Sequence, residues 1–131
     1  MIDRVFGKVE YDYGWCKPET IDLLGMTHEI TCVASAYKNE TISREQREKY
    51  AEFKERKNDI LKQVDEVIKC HVQNHHAEYV NRLEDTLVPK ELIFHQDGAA
   101  GILFECAWDV ETGIVVGIFP KMEIVNPDNF L

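Results

Sequence analysis

The sequence predicts an α+β fold: an antiparallel sheet of about six or seven strands with one long helix, about residues 43–74, packed on one face. Three observations carry that prediction. Both ends of the chain alternate apolar and polar residues in short runs, the middle carries a sustained helical stripe, and turn residues punctuate the short runs. With 131 residues, 44% of them hydrophobic and 30% charged, the chain has the length and make-up of one globular domain, residues 1–131.

The first third reads as three strands in meander order. Val5, Val9 and Tyr11 share one parity, with Gly7 between them. Gly14-Trp15-Cys16-Lys17-Pro18 is turn material, after which Ile21 and Leu23 alternate with polar neighbours. Gly25 marks a tight reversal into a strand on which Ile30, Cys32, Ala34 and Ala36 face one way.

Ser43-Arg44-Glu45-Gln46 fits a capping box, which sets the start of the helix. Tyr50, Phe53, Ile60, Leu61, Val64, Val67, Ile68, His71 and Val72 then recur at helical spacing and mark the face that packs on the sheet. Glu45–Lys49, Glu52–Arg56 and Asp65–Lys69 are acid-to-base pairs four residues apart that brace the outer face.

Strand patterns return after Leu92-Ile93-Phe94. Asp97-Gly98 is a hairpin turn signal, and Ile102, Phe104, Cys106 and Trp108 then alternate with Leu103, Glu105 and Ala107. Asp109 to Gly113 reads as a second turn leading into Ile114–Phe119, with Pro120 ending that strand and Met122–Val125 forming another.

Charge narrows the function classes. A formal net charge of −9 opposes binding to nucleic acid and to anionic membrane, both polyanionic. Residues 89–131 hold seven acids against Lys90 and Lys121 alone, so the excess gathers in the C-terminal hairpins. No run of apolar residues is long enough to span a bilayer, and the first residues lack the pattern of a secretory leader, which predicts a cytoplasmic protein. The four cysteines, Cys16, Cys32, Cys70 and Cys106, are irregularly spaced and are expected to be reduced and structural.

Few constellations point to chemistry. His71 and His75 lie four residues apart, so one helical face could bring both to a metal, with a metal-dependent enzyme as the extreme of that reading. No glutamate separates them as a hydrolytic zinc site would require, and His71 also lies on the apolar stripe. Serine and cysteine nucleophile motifs and phosphate-binding glycine loops are missing, and no cofactor is implied. Asp97, Glu105, Asp109 and Glu111 cluster around one predicted hairpin, although Asp97 and Asp109 also have ordinary turn roles.

Leu87-Val88-Pro89-Lys90-Glu91-Leu92, Asp97-Gly98, Gly101-Ile102-Leu103-Phe104, Cys106-Ala107-Trp108-Asp109 and Glu111-Thr112-Gly113 form a distinctive series. With the opening Phe6-Gly7-Lys8-Val9 and Gly14-Trp15, it resembles a bacterial family of small uncharacterised α+β domains. The helix start at Ser43–Arg47 also fits that pattern, so the resemblance spans nearly the whole chain. Its motifs are turns, strand aromatics and caps, and it brings no catalytic set. It does imply a binding role, since relatives of this type are suspected of acting as immunity proteins in toxin systems.

The expectation is therefore a non-enzymatic, acidic protein-binding module. Its face would comprise Glu105, Asp109 and Glu111 with Trp108 or Trp15 as anchors, presented to a protein partner of cationic character. The metal reading on His71 and His75, and an oligomeric role for the long helix, are the alternatives.

Overall fold

The computed structural model describes residues 1–131. The N-terminal alternation yields three two-residue pieces in place of one strand. β1 (Ile2–Asp3) and β2 (Gly7–Lys8) close a small ribbon of their own, and β3 (Glu10–Tyr11) joins the main sheet. Turn chemistry overrides alternation here. The buried Asp3 carboxylate accepts the amides of Val5 and Phe6 at 2.9 Å and pairs with Arg47 at 2.7 Å.

β4 (Trp15–Leu23) and β5 (Met26–Ala34) form a long hairpin. Trp15 to Pro18, expected as turn material, is extended strand. Pro18 is tolerated because β3 pairs only with Trp15 and Cys16, so the rest of β4 is a sheet edge where a missing N–H breaks no ladder. The hairpin turns through Leu24 (φ 53) and Gly25 (φ 79), both left-handed as a two-residue turn demands. Leu24 holds that conformation with its amide on Asp65 of the helical layer, 2.9 Å away.

The helical layer departs from expectation in one respect. The stripe forms two helices, α1 (Arg44–Glu55) and α2 (Lys57–His75), broken at Arg56 with φ −106 and ψ 22. The break falls where the apolar stripe lapses, between Phe53 and Ile60. Ser43 caps as predicted: the Gln46 amide donates to Ser43 Oγ, and Ser43's own amide donates to Gln46 Oε1. The same Gln46 side chain is buried and donates to the carbonyls of Ser35 and Phe94, tying the helix start to the sheet. A 3-10 turn (Ala77–Tyr79) and the short α3 (Leu83–Thr86) follow.

β6 (Leu87–Phe94), β7 (Ala100–Cys106), β8 (Asp109–Phe119) and β9 (Glu123–Val125) complete a seven-stranded sheet in the order β3-β4-β5-β6-β7-β8-β9. Every neighbouring pair is antiparallel except β5 and β6, which run parallel from Thr31–Ala34 beside Glu91–Phe94. A long crossover carries the chain between those two strands, which is what a parallel pair requires. The expected Asp109–Gly113 turn is the opening of β8. Reversal occurs one step earlier, at Ala107 and Trp108, and Gly113 (φ 73) lies against the bulged backbone of β7.

One cluster of 28 buried residues fills the space between helices and sheet, including Tyr50, Phe53, Val64 and Ile68 against Cys32, Leu92, Ile102 and Val116. Val33, Ile93 and Val115, of opposite parity, are buried on the far face, where the short α4 (Pro127–Phe130) brings Phe130 over Gly101. No helix is long and apolar enough to cross a membrane.

Candidate functional site

The sequence proposed two separate groups, an acidic hairpin with Trp108 and a histidine pair on the helix. The structure brings them together. Trp108, released from β7 by the early reversal, lies against the C-terminal end of α2. Its indole stacks on the His76 imidazole with ring centroids 4.2 Å apart and planes 11° from parallel. Tyr79 lies 5.7 Å and His71 6.2 Å from the same indole. Val110, two residues after Trp108 at the start of β8, is 81% exposed, so an apolar side chain stands in solvent at the reversal.

Acids surround it. Asp109 serves the turn, as Thr112 N–H donates to its Oδ1 at 3.1 Å, and its carboxylate carries no ion pair. Glu111 is exposed, while Glu105 reaches Lys90 only at 3.9 Å, an exposed pair of little energetic weight. The sequence missed two further contributors. The amide of Ala107 donates to the Thr86 carbonyl at 3.0 Å, which docks α3, with exposed Glu84 and Asp85, beside the reversal. That bond joins two segments with no shared periodicity and has no sequence signal.

Trp15 does not belong to this group. It opens β4 opposite Ala34, and β5 pairs Ala34 with Phe94 at the far end of β6. Eight residues of β6 separate that end from Leu87, roughly 25 Å at strand rise. There the Trp15 indole stands edge-on to Tyr11 and donates to the Glu40 carbonyl at 2.9 Å. Beside it lies an open pocket of about 570 Å³ whose lining includes Tyr11, Tyr13, Tyr37, Glu40, His95 and Asp97.

His71 and His75 approach to 4.9 Å between ring centroids, as their helical spacing predicts. Burial, together with the charges of His75 and His76, pushes the His71 imidazole below its ordinary pKa. Those two rings are the donors in place; no group of three or more His, Cys, Asp or Glu side chains is arranged to hold a metal. Cys70, exposed on a neighbouring face, meets Asn74.

The cysteines are all free, and burial pushes the thiols of Cys16, Cys32 and Cys106 up, away from the reactive thiolate. The densest polar network serves the fold. Glu19 on β4, with its side chain 4% exposed, accepts from Tyr50 at 2.8 Å and Lys54 at 3.1 Å on α1, and from Lys57 at 3.0 Å on α2. Burial pushes the Glu19 carboxyl up, but the hydrogen bonds from Lys57, Tyr50 and Lys54 outweigh it and hold the group below its ordinary value. One carboxylate thus pins both helices across their break.

These features define an α+β domain on a mostly antiparallel seven-stranded sheet, with partly exposed aromatic and acidic groups gathered at its two ends. A family described as a domain of unknown function, DUF6985, matches residues 5–125, and the chain belongs to that family. No curated protein and no solved structure matches the chain.

Proposed function

We propose that this chain is a non-catalytic protein-binding module that presents the reversal between β7 and β8 to a cationic protein partner. The observation that carries the reading is the composition of that end: the half-buried Trp108 and the exposed Val110 share the reversal with Asp109 and Glu111, the Thr86–Ala107 hydrogen bond docks Glu84 and Asp85 beside it, and none of the four acids is ion-paired. An aromatic anchor within a charged rim is the arrangement in which binding energy concentrates at the centre and charge sets the rate of encounter. A net charge of −9 adds long-range steering towards a cationic surface. The resemblance to families suspected of toxin immunity fits the same chemistry: an acidic inhibitor of a cationic bacterial toxin or effector competes with that protein's anionic substrate.

The test is the rate of association with the partner captured from the native cell. Asp109→Lys with Glu111→Lys slows association on the order of tenfold at low salt and flattens its salt dependence. Unchanged rates and salt dependence remove this end of the sheet as the interface.

A further inference from the structure

We infer that the pocket beside Trp15 binds an organic cation, an alkylammonium or guanidinium group, against tyrosine rings and between two carboxylates. Its volume, about 570 Å³, suits such a group with part of the chain that carries it. Tyr11, Tyr13 and Tyr37 supply ring surface, and aromatic faces attract cations through their quadrupole. Tyr13 is 56% and Tyr37 77% exposed, so the core does not account for either ring. Glu40 and Asp97 line the same space, neither belongs to an ion pair, and no lysine or arginine lines it. An anion would meet two carboxylates and no counter-charge. His95 also lines the space, with its ring packed against Phe130 at 4.6 Å between centroids.

The pocket is built rather than incidental. The Tyr11 hydroxyl donates to the Ala36 carbonyl at 3.0 Å, and its ring meets Trp15 edge-on at 5.2 Å between centroids. The Trp15 indole holds the Glu40 carbonyl, while the Tyr37 amide donates to Glu40 Oε1 at 2.7 Å, which fixes that carboxylate. Tyr13 is anchored through its hydroxyl to Glu91. On the opposite wall Gln96 donates to the Ser35 carbonyl at 2.8 Å, and Ser43 Oγ donates to the Gln96 carbonyl at 2.7 Å. These bonds hold the polar ends and the backbone in place before any ligand arrives, which lowers the ordering cost of binding. The pocket lies at the opposite end of the sheet from Trp108, so its success or failure is independent of the proposed interface.

The experiment is a resonance-by-resonance NMR titration of the full chain with choline, N-acetylarginine amide, a Gly-Arg-Gly peptide amide, and the neutral isosteres 3,3-dimethylbutanol and N-acetylcitrulline amide. The cations shift the resonances of Tyr11, Tyr13 and Tyr37 and the isosteres do not. Tyr37→Ala and Glu40→Gln each weaken cation binding about fivefold. Both positions are exposed, so spectra away from the pocket stay as in wild type and show that the fold is intact. Tighter binding of the peptide than of N-acetylarginine amide identifies a polypeptide side chain as the source of the cation; equal or tighter binding of the small molecules identifies a free ligand. Equal shifts from the neutral isosteres, absence of cation-induced shifts, or affinities unmoved by both variants would each overturn the assignment.

Discussion

The indole of Trp108 lies flat on the imidazole of His76, joining the reversal between β7 and β8 to the end of α2. Two parts of the chain more than thirty residues apart thereby form one surface. Trp108→Ala removes the half-buried ring from this contact and, by the proposed function, from the centre of the interface. The expected loss is about 1–2 kcal/mol in stability. Partner affinity falls by at least about tenfold. Urea denaturation and calorimetric titration separate the two, and a loss of stability without loss of affinity would make Trp108 a purely structural residue.

Glu19 gathers Tyr50, Lys54 and Lys57 on one buried carboxylate. Glu19→Gln keeps the shape but removes the charge that two ammonium groups meet, at a cost of roughly 2 kcal/mol by urea denaturation. Hydrogen exchange should quicken most around Arg56, where α1 and α2 meet. A uniform change across the sheet would contradict the view that this carboxylate fixes the joint.

Acid sensitivity follows from the same group and from Asp3. Burial pushes the Asp3 carboxyl up, but hydrogen bonds from Arg47, Phe6 and Val5 and the Arg47 charge more than offset it. Both carboxyls therefore sit below their ordinary values in the folded chain, and the unfolded chain binds more protons in that window. Their contribution is complete above the ordinary carboxylate range, about pH 4–5, and is lost as the pH falls through the depressed folded values. Denaturation midpoints measured from pH 7 down to pH 3 should fall steeply for the wild type and less steeply for Glu19→Gln.

Gly113 adopts φ 73 beside the carbonyl of Phe104, which a Cβ at this position would strike. Gly113→Ala combines a left-handed backbone cost with a collision against main chain, and at least about 2 kcal/mol of destabilisation is expected. Gly25, also at positive φ but with nothing near its Cβ position, shows the backbone term alone, about 1 kcal/mol on Gly25→Ala. Equal costs at the two positions would show that the Phe104 carbonyl yields.

The elements legible in the sequence are those written in local chemistry. Ser43 and Gln46 announce a helix start because both halves of the capping box lie within four residues. Asp97-Gly98 likewise announces its turn, with Gly98 at φ 92. The break at Arg56 is harder to read, since the acid–base pair Glu52–Arg56 runs up to it and only the apolar stripe pauses. Pro18 is opaque for a different reason: whether proline fits a strand depends on which edge is free, and that is a property of the assembled sheet. The site divides along the same line. Trp108, Asp109 and Glu111 are neighbours in sequence and stay together, whereas Trp15 stands beside a pocket whose lining comes from segments that the pairing of β5 with β6 brings together.

That parallel pairing has a consequence for how the chain assembles. β3 to β5 form one meander and β6 to β9 another, each made of contacts close in sequence, and four paired residues on each strand join them. The long-range closure of the sheet is concentrated in that one seam, so its pairing carries the largest loop-closure cost in the sheet, the whole helical crossover lying between the two strands. The pocket beside Trp15 straddles the seam, with Tyr11 and Tyr37 contributed from one half and His95 and Asp97 from the other. A ligand there acts as a clasp between folding units, so occupancy of the pocket and closure of the sheet reinforce each other.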